Sequence, residues 1–315
     1  MTAHLPTLSD IINAHSRIRP FIHRTPVLTS GSINEILGAE FFFKCENFQK
    51  VGAFKFRGAT NSVLSLTPEE LARGVGTHSS GNHAAALALA ARNAGVPAYI
   101  VMPRTAPEIK KIAVGGYGGI ITFCEPTLEA RETTMAKVQQ ETGCTFIHSF
   151  NQFEIIAGQG TAALELLEDC PDLDTIMAPV GGGGLLSGTA IAAKSIKPDI
   201  TVWAGEPANA DDAFRSVQSG SIQPAVPPNT IADGLLTSLG PLTFEVIRHR
   251  VDRILLCPEP TITEAMRLIW ERMKIIIEPS SAVPLGALMA NPDDGWKGKK
   301  IGIILSGGNC QLKLM

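Results

Sequence analysis

The chain has 315 residues, with 27 Lys and Arg against 30 Asp and Glu and a formal net charge of -3. That near balance excludes a nucleic-acid binder working through a basic face, and 44% hydrophobic against 18% charged residues excludes wholesale disorder. A chain this long suits two domains or one large one, and buries roughly 75% of its unfolded surface without needing a disulfide or metal.

From Met1 to Asp10 no basic flank precedes an apolar run, so no signal peptide is expected. Further on, apolar runs alternate with alanine-rich helical ones. Residues 84–93 read as a helix, 98–102 as a strand ending at Pro103, 108–114 as a helix and 120–124 as a strand. A polar helix over 129–142 and a strand over 145–149 come next. Helix 161–168, strand 175–180, helix 185–195 and strand 201–206 repeat the rhythm. This alternation predicts α/β architecture with parallel sheets covered on both faces. The polar, proline-bearing stretch 219–229 is the clearest long loop. Strand 300–305 runs into Ser306-Gly307-Gly308-Asn309, leaving no room for an appended regulatory domain.

Six cysteines lie scattered, with no C-x-x-C pair and no zinc-ligand spacing, and so read as reduced core thiols of a cytoplasmic protein. No run approaches the roughly 20 apolar residues of a membrane span.

Three glycine-rich turns follow strand-like runs: Ser79-Ser80-Gly81-Asn82-His83, Gly181-Gly182-Gly183-Gly184 and Ser306-Gly307-Gly308-Asn309. In the second, a strand leads into four glycines and then a helix. Amides at a helix N-terminus without Cβ atoms suit a phosphate, and a tight turn packed on the sheet is the alternative. No Lys-Ser/Thr follows, so it is not a P-loop; nor does it carry the dinucleotide fingerprint. Lys55 stands between Phe54 and Phe56 in an apolar run. Desolvation there would lower its pKa, as an imine-forming amine requires, unless the lysine merely snorkels to solvent. Together, amine and phosphate cup suggest a phosphorylated aldehyde cofactor.

Ala53-Phe54-Lys55-Phe56-Arg57-Gly58-Ala59, His78-Ser79-Ser80-Gly81-Asn82-His83, Pro179 to Gly184 and Ser306 to Asn309 stand in an order and spacing that resemble one enzyme family. It is the fold-type II (tryptophan synthase β-like) pyridoxal-phosphate enzymes, within them the serine/threonine dehydratase, serine racemase and 3-hydroxyaspartate dehydratase group. The resemblance runs from Thr25-Pro26 to Asn309. Two departures stand out: Ala53 where the family has Ser, and Glu278-Pro279-Ser280-Ser281 for Glu-Pro-[Ser/Thr]-[Gly/Ala].

The resemblance implies two domains, each a mostly parallel sheet flanked by helices. A small one over 74–145 is inserted into a large one built from 1–73 and 146–315. It implies that Lys55 forms the Schiff base, Phe54 packs near the cofactor ring and Asn82 bonds the phenolic oxygen. Gly181, Gly182, Gly183 and Gly184 would cradle the phosphate, and Ser306 would face the pyridine nitrogen. A serine there leaves the ring a weaker electron sink than a carboxylate would, which favours β-elimination. Ser79, Ser80, Gly81, Asn82 and His83 match the substrate-carboxylate site, and a helix N-cap role there is compatible with it. Ser80 also matches the racemases' second acid/base. Gly234, in Thr230-Ile231-Ala232-Asp233-Gly234, would line the active-site mouth.

In Glu206-Pro207-Ala208-Asn209-Ala210-Asp211-Asp212, Asn209 or Asp211 could cap a following helix. By resemblance, Glu206, Asp212 and the Ala210 carbonyl would bind Mg²⁺ or Ca²⁺. The implied activity is removal of water from serine, threonine or 3-hydroxyaspartate to give a 2-oxo acid and ammonia, with racemisation as a main or side activity. Arg131 matches a position near the distal group of dicarboxylates, though on a polar helix it could be a solvated charge. A β-replacement synthase and a non-catalytic metabolite-binding protein are the rival classes. A homodimer acting on a small amino acid, with neither nucleic acid nor membrane as partner, completes the expectation.

Overall fold

The computed structural model describes residues 4–225, 229–293 and 295–310. In chain order the strands are β1 (Val27–Leu28), β2 (Glu40–Cys45), β3 (Val75–His78), β4 (Ala98–Pro103) and β5 (Gly119–Cys124). They continue with β6 (Thr145–Phe146), β7 (Thr175–Pro179), β8 (Thr201–Pro207), β9 (Arg253–Cys257) and β10 (Lys300–Leu305).

Two sheets form. One has six strands in the order β1-β2-β10-β7-β8-β9, parallel except for the antiparallel β1–β2 pair. The other has four parallel strands in the order β5-β4-β3-β6. β7 is buried at every residue, which explains an unbroken apolar run: helices cover both faces, so alternation is lost. The expected α/β class with mostly parallel sheets is therefore what the chain adopts. Parallel strands point their carboxyl ends the same way, and in such sheets ligands bind beyond those ends. Gly181 follows the end of β7 and Ser306 the end of its neighbour β10.

Helix Lys55–Leu64 is held between two others. Its Phe56, Ala59 and Val63 share a core with the alanines of helix Asn82–Ala94. On its other side helix Phe153–Asp169 approaches so closely that a Cβ on Gly158 would lie 2.7 Å from Gly58 Cα. Those glycines explain why only 161–168 was legible as helix: Gly158 and Gly160 look like breakers but allow close packing.

Other boundaries differ as well. The helix expected at 84 begins at Asn82, with Gly81 as a cap that makes no side-chain bond. The strand expected over 145–149 ends at Phe146, because the His148 amide turns to the Gln152 side chain at 2.9 Å. Within the loop read over 219–229, residues 226–228 lie outside the described residues.

All six cysteines are free; Cys45, Cys124, Cys144 and Cys257 are buried, whereas Cys170 and Cys310 are only half-buried. Burial pushes the Cys45 and Cys257 thiols up to about 12, so they stay protonated and unreactive. Among the described residues no helix is long and apolar enough to cross a membrane.

Candidate active site

Lys55 is the first residue of its helix, and the turn before it is set by backbone pairing. Val51 and Gly52 take left-handed conformations, and Ala53 pairs with Gly307 in an antiparallel bridge. The Phe54 amide donates to Ser306 O at 2.9 Å, and the Gly308 amide to Gly52 O at 2.9 Å. The loop after β10 therefore fixes where the lysine begins. Lys55 Nζ donates to Ser149 O at 2.8 Å and sits 5.0 Å from the Phe54 ring centroid. Burial lowers its pKa from 10.5 to about 8, against a smaller upward pull from Glu278.

Glu278, which the sequence placed in a family segment without a role, is the hub of a side-chain network. Asn82 Nδ2 donates to both its carboxyl oxygens, at 3.1 and 3.0 Å, and the Asn309 amide donates to Oε2 at 3.2 Å. Asn309 Nδ2 donates to Asn82 Oδ1 at 2.9 Å and to Val51 O at 2.7 Å. One Asn82 hydrogen shared between the Glu278 oxygens leaves the second for a ligand oxygen. Burial raises Glu278 to about 7. The sequence signal was a carboxylate ending the apolar run Ile275 to Ile277. Gly307 stays bare because a Cβ there would lie 2.9 Å from the Glu278 carboxyl.

At the glycine turn both readings meet. Gly183 has φ of +87°, and a Cβ there would lie 2.8 Å from Ile247 Cδ1 and from Leu239 Cδ2. A Cβ on Gly182 would run into the Phe150 ring, so packing alone demands glycine. Yet among the described residues the amides of Gly181, Gly182 and Gly183 make no hydrogen bond, and Gly184 opens helix Gly184–Ile196. Unpaired amides at a helix N-terminus fit a phosphate. Phe150, against this turn, directly follows Ser149, whose carbonyl holds Lys55. Ser306 Oγ lies 3.0 Å from Ser281 Oγ, in the first turn of helix Pro279–Ala290.

The residue pattern of the family described as "Pyridoxal-phosphate dependent enzyme" matches residues 18–307. The chain belongs to this family of pyridoxal-phosphate-dependent enzymes. It is 54% identical over 309 residues to a protein named serine racemase from Dictyostelium discoideum, covering 97% of this chain and 95% of that one. Against a protein named beta-hydroxyaspartate dehydratase from Paracoccus denitrificans it is 50% identical over 309 residues, covering 98% of each. The solved structure of maize serine racemase superposes with a TM-score of 0.96 at 48% identity, covering 98% of this chain and 95% of that one.

In this enzyme Ser79, Ser80, Gly81 and Asn82 are half-buried where β3 passes into helix Asn82–Ala94. His83 is buried, with Nε2 3.3 Å from Ile147 O, and burial drops its pKa to about 3, so it is neutral. Arg131, on helix Leu128–Thr142, is half-buried, and its Nε is buried with no hydrogen-bond partner. That disfavours a merely solvated charge. The Gly234 amide donates to Ser280 Oγ at 3.0 Å, beside Glu278. Lys110 and Asp233, 2.5 Å apart, tie helix Glu108–Gly116 to the segment before Gly234.

Glu206, at the end of β8, accepts the amides of Ala213 and Phe214 at 2.7 and 2.8 Å. It therefore caps helix Asp212–Ser219; Asp211 occupies the N-cap position but its side chain makes no capping bond and holds Arg215 at 2.8 Å, while Asn209 holds Asn229 O at 2.9 Å. Asp212 Oδ2 is buried without a partner. Burial, opposed by these amide bonds, leaves Glu206 at about 8, and burial raises Asp212 to about 6. Two buried carboxyls with open lone pairs suit a hard divalent cation. Among the described residues no three His, Cys, Asp or Glu side chains gather, so carbonyls and water would complete such a shell.

Proposed function

We propose that this enzyme eliminates water from a 3-hydroxy amino acid (serine, threonine or 3-hydroxyaspartate) and releases a 2-oxo acid and ammonia. The carrying observation is the pairing of a desolvated Lys55 amine, at about 8, with a serine hydroxyl and no carboxylate after β10. When bound, pyridoxal phosphate supplies the electron sink for the Cα–H electrons.

The chain's residues do the rest. The amides of Gly181 to Gly184 hold the phosphate, Phe54 packs near the ring, and Ser306 faces the ring nitrogen. Asn82, pinned by Glu278 and Asn309, bonds the phenolic oxygen. The Ser79-to-His83 segment binds the substrate carboxylate, with Ser79, Ser80, Gly81 and Asn82 half-buried and His83 buried and neutral. Gly234 lines the mouth. Lys55, partly neutral near pH 8, takes the Cα proton; a pKa close to operating pH suits a general base. Arg131 offers its guanidinium to a distal carboxylate, which favours 3-hydroxyaspartate among the three candidates. The relative named beta-hydroxyaspartate dehydratase supports this reading. Assaying all three amino acids for 2-oxo acid release tests it, and no release from any would end it.

Racemisation is the second reading, favoured by the relative named serine racemase and by Ser80 on the segment before helix Asn82–Ala94. We read residues 74–145 as a small domain inserted into a large one, and the enzyme as a cytoplasmic homodimer. Glu206, Asp212 and the Ala210 carbonyl would hold Mg²⁺ or Ca²⁺ as a structural ion, away from the chemistry.

A further inference from the structure

His148 holds the turn between β6 and helix Phe153–Asp169. Its Nδ1 accepts the Phe150 amide at 3.2 Å and the Asn151 amide at 2.9 Å. A ring nitrogen that accepts carries no proton, so this imidazole is neutral with its proton on Nε2. Burial agrees, lowering His148 to about 4. The Phe150 ring meets the imidazole edge-on, with centroids 4.6 Å apart, and lies against Gly182.

The Phe150 N–H and the Ser149 C=O belong to one peptide group. In a planar trans peptide the two point opposite ways. That single plane is gripped at both ends: His148 accepts from its N–H, and Lys55 Nζ donates to its C=O at 2.8 Å. Turning the plane would take the acceptor away from the amine, and only the imidazole grip on the far side resists it.

We propose that His148 is a positioning residue: by holding the Phe150 amide it aims the Ser149 carbonyl at Lys55 and so fixes the free amine that receives the cofactor. The proposal deepens the reading above and rests on Lys55 being that amine.

The test follows capture of pyridoxal phosphate by full-length apoprotein across pH, read as visible absorbance. The amine adds to the aldehyde and water leaves, so the rate rises as Lys55 loses its proton. The native chain should reach half its maximal rate near pH 8. Glu278, at about 7, titrates nearby, whereas burial drops His83 to about 3 and lowers His78. Those groups and the ligand are common to every variant, so a shift between variants reports the amine. A carbonyl acceptor stabilises an ammonium more than an amine. His148→Leu should therefore lower the midpoint by about one pH unit, the worth of a hydrogen bond to a charge. A merely structural lesion would admit water and raise the midpoint toward 10.5 instead. His148→Asn, whose Oδ1 can replace Nδ1 as the acceptor, should restore the native midpoint. His148→Gln, with its oxygen one bond further out, carries the leucine comparison if that variant misfolds. Equal midpoints in the leucine and asparagine variants, or a raised one in leucine, overturn the proposal alone. Capture by Lys55→Ala with the native profile overturns the reading of Lys55 beneath it, and the proposal with it.

Discussion

Lys55 Nζ donates to the carbonyl of Ser149 at 2.8 Å, across the gap between helix Lys55–Leu64 and the segment after β6. A neutral backbone dipole in that position orients the amine without a full countercharge, so desolvation can lower its pKa. Among the described residues Glu278 is the one carboxylate acting on it, and burial holds that group at about 7.

Glu278 and Lys55 give stability slopes of opposite sign in the cofactor-free protein. Glu278 rises from 4.5 to about 7 on folding, so the folded chain holds a proton the unfolded chain has lost. Its contribution is complete below about pH 4.5 and fades as pH rises to about 7. Lys55 falls from 10.5 to about 8, so it opposes folding below about pH 8 and the penalty lifts as pH rises to 10.5. Urea unfolding of Glu278→Gln against the native chain should show the variant gaining on the order of 2–3 kcal/mol between pH 4.5 and 7. A difference that is flat across that window contradicts the assignment.

Beneath the lysine helix lies a buried ionic cluster that nothing above uses chemically. Arg57 holds Glu46 at 2.7 and 2.8 Å and Glu165 at 2.9 and 2.8 Å, while Lys44 reaches Glu165 at 2.7 Å. Arg57→Met should destabilise by about 3–5 kcal/mol, because it leaves buried carboxylates short of a partner. Adding Glu46→Gln, which leaves Glu165 as the partner of Lys44, should recover much of that in denaturant melts, and no recovery would show that packing, not charge, is lost.

How much of this was legible beforehand depended on local pattern. β10 was read to the residue and β4 to within one, since a continuous apolar run bounded by Gly or Pro signals a buried strand. β3, Val75-Gly76-Thr77-His78, was legible only as a strand-like run of no stated bounds before Ser79: it is short and half polar, and pairing with β4 and β6 is what delimits it. Glu278 and Ser149 meet the site residues from distant parts of the chain, and spacing along a sequence carries no signal for such contacts. The Ser281 departure was visible as a residue, but its bond to Ser306 needed the fold.

With Glu206 and Asp212 holding a divalent cation as proposed, removing that cation should lower the melting temperature. Saturating Mg²⁺ or Ca²⁺, at about 100 times its dissociation constant, adds about 2.7 kcal/mol and several degrees. Thermal melts of the native chain and of Asp212→Asn, with cation and with chelator, should show the gain in the native chain only. An equal gain in both would move the ion elsewhere.

Arg131→Ala should raise KM for 3-hydroxyaspartate tenfold or more, as expected for losing a charge-assisted contact of about 1.5–3 kcal/mol. Steady-state kinetics with serine should change by no more than about twofold. Unaltered kinetics on 3-hydroxyaspartate would remove Arg131 from the substrate site.

The central claim is that the Lys55 amine carries the chemistry. Reconstituting Lys55→Ala with pyridoxal phosphate and recording both its visible spectrum and 2-oxo acid release from serine and 3-hydroxyaspartate tests it most directly. The native protein should show the absorbance of covalently held cofactor and release 2-oxo acid and ammonia in equal amounts, and the variant should do neither. A variant with the native spectrum and turnover would contradict the account.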